Sequence, residues 1–485
     1  MVPFVPKVKI GVTAVSATVL TAAAAAAVVL PAPGPLSEAS QTEPAASLSA
    51  VWSGEVHPDF VRIGGIARSA PPTTAECEQS IHVACYTPDQ LRAAYDLSPL
   101  YARGITGRGV TIVIEDSYGS PSIKSDLATF DREFGYPAPP KLTVLQPIGR
   151  VAKFNPKNAN MAGWQYETSL DVEYAHAIAP GASIVVVETP ATGGGSNERQ
   201  VMEAEQYIVN HHLGAMISES FSGTEAGYSS AAQLQPLRAG VLDAASHHVT
   251  ILASSGDAGA TTVANNGGYY TRREVNWQAS DPLVTGVGGT RLIESGGHFT
   301  SVAWNDTYNT AVNRDWFNSS RPVPYASGGG HSALFGRPSY QNGVKSLTGG
   351  RRGVPDISMS GACNGGVAVF SSHQPGQPNQ AGWSTACGTS ESAPEFAGIL
   401  ALADQVAGRW LGTINPTLYK LLAQHAPGLV NITTGDNTVS FYGGSKRYTV
   451  TGYHARKGYS LVDGVGTINA SLFVYELAGK KPPKG

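Results

Sequence analysis

Short, almost uninterrupted apolar runs alternate along this chain with longer stretches of helical periodicity. The run Gly109–Ile114 reads as a buried strand, with Glu115, Asp116 and Ser117 at its carboxyl end. Similar strand-like runs recur at Ser183–Val187, Ala215–Ser218, Thr250–Ala253, Leu283–Val287 and Val367–Phe370. Helical patterns lie between the earlier ones, at Asp126–Phe134, Gln165–Ile178, Asn197–His211 and Ala231–Ser246, and a further apolar helix is predicted over Phe396–Val406. Thr87-Pro88 has the form of a helix start, a capping hydroxyl followed by a proline in the first turn. Strands that alternate with helices predict an α/β fold with a mostly parallel sheet flanked by helices. Functional residues of such sheets gather at the carboxyl ends of the strands. Asp116, Ser220, Ser255 and Asp257 all sit at such ends.

The pattern weakens at both ends and in one interior stretch. Residues 265–350 are rich in Gly, Asn and Tyr and are expected to be loop-heavy. Lys7 and Lys9 precede an uncharged run from Ile10 to Leu30 that Pro31-Ala32-Pro33-Gly34 interrupts. A basic start, an apolar stretch and then small residues and prolines describe a secretory signal over residues 1–31, with an uncleaved anchor as the alternative. Residues 32–85 read as a flexible leader or degenerate propeptide, 86–475 as one large domain and 476–485 as a flexible tail.

Composition adds exclusions. Net charge is −3 over 485 residues with a pI near 6.5, so nothing points to nucleic acid or an anionic membrane surface. The four cysteines, in a chain expected to be exported, favour disulfides over metal ligation. Proximity suggests Cys77–Cys85 and Cys363–Cys387. The second bridge closes a loop ending just before Ser390, worth roughly 3 kcal/mol on a chain-entropy estimate.

Gly388-Thr389-Ser390 carries the sharpest chemical suggestion. A serine at a tight turn that opens a buried helix presents its hydroxyl at one point, with backbone N–H groups nearby, as a nucleophile and oxyanion site require. Helix capping by Thr389 or Ser390 is the plainer explanation. A serine nucleophile needs a base, and none of the twelve histidines has a recognisable catalytic setting. His176, the best placed, has the neighbours Ala175, Ala177 and Ile178 and reads as a packed side chain. On the same predicted helix, Glu167 and Asp171 are four residues apart and share one face. Flanked by Trp164, Tyr166, Leu170, Val172 and Tyr174, the acid pair is either uncompensated in apolar surroundings or part of a solvated face. Asp257 follows a strand at a glycine-flanked turn, where it is either a turn aspartate or a third functional acid.

Together these stretches resemble the sedolisins, the serine-carboxyl peptidases built on a subtilisin-like fold. The matching residues are Glu167 to Glu173, Ser254-Ser255-Gly256-Asp257-Ala258-Gly259, and Gly388-Thr389-Ser390 with Pro394. Supporting matches are Tyr86-Thr87-Pro88, Gly328 to Ser332 and Val354-Pro355-Asp356, so the resemblance spans roughly residues 86–470. It implies Ser390 as nucleophile, Glu167 as general base, Asp171 as its orienting partner and Asp257 as oxyanion-hole acid. Ser218, Ser220, Ser255 and Gly256 are expected to line the substrate cleft. A base that is ionised beside an oxyanion acid that is protonated requires acidic pH, or burial that raises the pKa of Asp257 strongly. The expectation is therefore a secreted, monomeric endopeptidase acting on protein or peptide substrates at acid pH, with tripeptidyl cleavage as a variant mode.

Three departures stand out. The stretch between signal and Tyr86 is short for a sedolisin prodomain. The positions where family members place calcium-binding aspartates hold Asn431 and Ser460, beside Arg456 and Lys457, so no metal or other cofactor is expected. Glu391 directly follows the serine: ionised and inward-facing it would raise the cost of forming the oxyanion, whereas a solvent-facing orientation would keep its charge away. The competing assignments are a subtilisin-type triad of Asp116, a histidine and Ser390, and an inactive secreted binding protein on the same scaffold.

Overall fold

The computed structural model describes residues 57–58, 61–191, 197–264, 267–317, 319–375 and 380–482. The expected signal segment 1–31, most of the leader up to residue 56 and the last three residues of the tail lie outside the described residues. Eight strands form the central sheet. In chain order they are β1 (Thr111–Ser117), β2 (Leu142–Leu145), β3 (Ser183–Thr189), β4 (Met216–Glu219), β5 (Thr250–Ser254), β6 (Thr285–Ser295), β7 (His298–Ala303) and β8 (Ile357–Ser360). Their spatial order is β7-β6-β5-β4-β1-β3-β2, with β8 also paired to β6. All pairs are parallel except β6 with β7. The first strand lies inside the sheet, flanked by β3 and β4. The chain therefore leaves it in both directions, and its carboxyl end opens onto the crevice where the strand order reverses.

Five helices matter for the site: α1 (Ile123–Phe134), α2 (Ala159–Ile178), α3 (Asn197–Asn210), α4 (Ala239–Ser246) and α5 (Thr389–Ala407). The core divides accordingly. Leu170, Val172, Ile178, Phe396, Ile399 and Leu400 of α2 and α5 pack with Ile112 and Ile114 from one side of β1. Val113 and Ile217 pack with Ala204, Ile208 and Val241 of α3 and α4 on the other. Successive residues of a strand point to opposite faces, which is why β1 reads as continuously apolar.

Most of the predicted elements form, with instructive differences. Ala231–Ser246 is not one helix. It splits into Ala231–Leu234, a tighter turn at Gln235–Leu237, and α4, because Pro236 lacks an N–H and disfavours helical geometry before it. Val367–Phe370 does form a strand, Gly366–Ser371, but outside the central sheet. It pairs antiparallel with Gly382–Cys387 and parallel with Cys85–Tyr86. The loop-heavy region contains β6, β7 and the strand Gly330–Gly336. Both expected disulfides are present, Cys77–Cys85 and Cys363–Cys387.

The segment expected to be a flexible leader contributes strands. Val61–Arg68 pairs antiparallel with Gly382–Cys387, and His57–Pro58 pairs antiparallel with Phe221–Ser222. Among the described residues, no helix is long and apolar enough to cross a membrane.

Candidate active site

The site is assembled where α2 and α5 meet the carboxyl ends of β1, β4 and β5. Helix α2 is buried continuously from Met161 to Ile178. A helix enclosed on all sides must still carry its polar residues inward, and here those include Gln165, Glu167, Ser169, Asp171, Glu173 and His176. Glu167 and Asp171 are both fully buried, so the solvated acidic face is excluded. Trp164, one turn before Glu167, packs edge-on against Phe221 with ring centroids 6.1 Å apart, fixing α2 against the strand that follows Ser220.

Ser390 lies inside the first turn of α5 rather than ahead of the helix, and it is fully buried. Gly388 precedes this turn with φ +127, a backbone conformation that residues with a Cβ rarely adopt. Pro394 sits four residues beyond Ser390. Having no N–H, it cannot donate the usual helical bond to the Ser390 carbonyl, and the hydroxyl of Ser220 donates to that carbonyl instead, at 3.3 Å. The Ser220 hydroxyl also donates to Asp171 Oδ1 at 2.8 Å, while the Ser390 hydroxyl donates to the Ser220 carbonyl at 3.1 Å. Ser220 thus joins the acid-bearing helix to the serine-bearing one.

Asp257 closes the other side. Its Oδ1 accepts from the Thr389 amide at 2.7 Å and the Thr389 hydroxyl at 2.8 Å, and its Oδ2 accepts from the Tyr325 phenol at 2.9 Å. The Thr389 hydroxyl oxygen in turn accepts from the Gly256 amide at 3.1 Å. Gly256 has φ +97, and a Cβ there would stand 2.1 Å from Asn276 Nδ2. Only glycine fits this approach.

Of the expected cleft residues, Ser220 and Gly256 make direct contacts within the cluster. Ser255 spends its hydroxyl on the Gly328 carbonyl at 2.8 Å. Ser218 is fully buried in β4 beside Ile114 and Leu252. Asp116, at the end of β1, is close enough for its charge to reach Asp171. Burial raises Asp116 to about 7, opposed by a hydrogen bond from Thr168 and reinforced by the charge of Glu188. Burial also raises Asp171 well above the usual carboxylate range, and the neighbouring Asp116 adds to this, while hydrogen bonds with Ser220 and Glu167 oppose it. His176 is turned elsewhere: its Nε2 lies 2.9 Å from the Pro137 carbonyl and 3.2 Å from Asp131. It is a packed side chain, as its neighbours suggested.

Thr389 and Tyr325 were not singled out as partners of Asp257. The sequence marks Thr389 as a capping candidate and as part of the sedolisin-like stretch but not as a partner of Asp257, and Tyr325 lies in a loop with no local pattern to mark it. Of the two orientations open to Glu391, the inward one is adopted: it is fully buried.

The subtilase family profile matches residues 154–445, more than half of the chain. The chain belongs to the subtilase family. Kumamolisin from a Bacillus species is 30% identical over 398 residues, covering 80% of this subtilase and 63% of kumamolisin's own length. Human tripeptidyl-peptidase 1 is 28% identical over 432 residues, covering 85% and 69%. The structure of Pseudomonas sedolisin, a serine-carboxyl proteinase solved with pseudo-iodotyrostatin, aligns with a TM-score of 0.66 at 24% identity, over 81% of this subtilase and 97% of that chain. The sedolisin resemblance and the subtilisin-like fold expected from the motifs are borne out.

The calcium positions of the family are differently occupied in this subtilase. Asn431 Oδ1 accepts from the Gly458 amide at 2.6 Å. Ser460 Oγ accepts from the amides of Val462 and Asp463 at 3.2 and 3.0 Å. Both side chains are engaged by N–H donors where a cation would need free oxygens, so this set does not fit calcium. Among the described residues no group of three or more His, Cys, Asp or Glu side chains is arranged to hold a metal ion.

Proposed function

We propose that this subtilase is a secreted, monomeric serine-carboxyl peptidase that hydrolyses peptide bonds at acid pH and works without calcium. The observation that carries the reading is the joint held by Ser220, which links Asp171 to the turn bearing Ser390, with Asp257 fastened to the adjacent Thr389. In this reading Ser390 Oγ attacks the scissile carbonyl and its proton passes to Glu167. Asp171, held by Ser220, orients Glu167. The carbonyl oxygen becomes negatively charged as the tetrahedral intermediate forms, and protonated Asp257 donates to it. The proton on Glu167 then goes to the leaving amine, and water repeats the sequence on the acyl-enzyme. Glu167 must start ionised and Asp257 protonated, a combination that acidic pH favours.

A peptide substrate is supported by the leader itself. Its His57–Pro58 stretch lies antiparallel on Phe221–Ser222, next to Ser220, which is the way an extended peptide adds to an open strand edge. The test is hydrolysis of a peptide library by the full chain at graded pH beside Ser390→Ala. Acid-pH cleavage abolished by the substitution supports the reading. Cleavage that survives it assigns the nucleophile elsewhere.

A further inference from the structure

The two glutamates of the nucleophile helix have no place in the chemistry above. Glu391 and Glu395 are four residues apart on α5, so they share one face, and both are completely buried. Glu391 faces the Ser360 hydroxyl and Glu395, and Glu395 faces the Tyr95 phenol. Tyr95 accepts a hydrogen bond from the Ser360 amide at 2.6 Å, and Ser392 donates to the Ser360 carbonyl at 2.6 Å. The pair therefore fills the joint between the first turns of α5, the end of β8 and Tyr95. The other ionisable groups within electrostatic reach are Tyr174 of α2 and Asp257, both neutral or acidic. Among the described residues, no cation forms an ion pair with either glutamate.

Two carboxyls in such a place cannot both be ionised at low cost. Removing them from water disfavours each charge, and each ion repels the other. Burial raises both well above the usual carboxylate range, and the charge of Glu391 raises Glu395 further. None of their four carboxyl oxygens has a hydrogen-bond partner, so a proton shared between the two carboxyls at acid pH would satisfy the joint. Loss of the last proton leaves two uncompensated charges beneath the turn that carries Thr389 and Ser390. That turn is fastened at three points, to Asp257 by Thr389, to Ser220 at the Ser390 carbonyl, and to Ser360 by Ser392. Hydrating the charges requires the turn to move away from β8, which draws Ser390 from its partners.

We propose that Glu391 and Glu395 are a proton-sharing positioning pair that holds the nucleophile turn in place at acid pH and releases it as the pH rises. The inference rests on Ser390 as nucleophile, but its test includes a readout independent of catalysis. Hydrogen exchange of the 389–396 segment, followed by mass spectrometry on the full chain from pH 4 to 8, reports whether the turn is held. The segment is expected to be protected at pH 4 and to lose protection as pH approaches neutrality. In Glu391→Gln/Glu395→Gln the pH of that loss should rise by about one unit or more, and the alkaline limb of the activity profile should move with it. If the double variant does not fold at pH 4, Glu395→Gln alone, which leaves one carboxyl to titrate without a charged partner, is expected to shift the same midpoint in the same direction. An unchanged midpoint in the folded variant overturns the proposal. A shifted protection midpoint in a protein without peptidase activity would instead overturn the catalytic reading and leave the pair's role standing.

Discussion

Thr389 holds Asp257 with two hydrogen bonds to a single oxygen, from its amide at 2.7 Å and its hydroxyl at 2.8 Å. The residue before Ser390, the proposed nucleophile, therefore also fixes the acid proposed for the oxyanion, so one turn of backbone sets both positions. Replacing Thr389 with Val keeps the volume and the amide but deletes the hydroxyl, freeing Gly256 and loosening Asp257. The expected result is a fall in kcat of about 10- to 100-fold with a smaller change in KM. Steady-state kinetics at acid pH would check it.

Ser220→Ala removes the donor to both Asp171 and the Ser390 carbonyl. Leaving these buried acceptors unpaired should cost about 1–3 kcal/mol of stability, in addition to lowering kcat. Urea titrations at pH 4 measure the first effect. A variant as stable as the parent would show that the bridge is not a structural joint.

Stability should decline as the pH rises above the ordinary glutamate range. Glu115 and Glu205 are raised well above their ordinary value of 4.5, first by burial and then by neighbouring carboxylates, and Glu219 is raised to about 8, chiefly by burial. Asp116 lies at about 7. A carboxyl that binds its proton more tightly when folded contributes stability that is complete below about pH 4.5. That stability is lost as the pH rises through its folded value. Thermal melts should give their highest Tm near pH 4 and fall continuously to pH 8. A maximum near neutrality would contradict this.

Much of this was legible in the chain, and the exceptions have physical reasons. The parallel sheet followed from apolar runs separated by helical periodicity, whereas carboxyls set among aromatic and aliphatic residues in the 165–178 stretch left burial and a solvated face both open, and the packing of that helix decides for burial. The separate sheet of Gly366–Ser371 was not legible, because its partners are Cys85–Tyr86 and Gly382–Cys387, and strand runs do not announce whom they pair with. Tyr325 reaches Asp257 from a loop 68 residues away, a contact that only tertiary packing creates. The orientation of Glu391 was not legible, because a charged residue beside a helix-opening serine can face either solvent or the interior, and only the packing of Glu395, one turn on, makes it buried.

Removal of divalent cations should leave the protein unaffected. Asn431 and Ser460 are held by the amides of Gly458, Val462 and Asp463, so chelation has no ligand to extract. Tm and activity in excess EDTA are expected to match those in millimolar calcium. A calcium-dependent rise of several degrees would mean that other oxygens supply a site.

The central claim is that Ser390 gives its proton to Glu167, with no histidine involved. The most direct measurement is the pH dependence of kcat/KM for the parent, Glu167→Gln and Ser390→Ala on one peptide substrate. An acid optimum is expected for the parent, with a loss of three or more orders of magnitude in both variants. Activity within about tenfold of the parent in Glu167→Gln, or a parent optimum above pH 7, would contradict it.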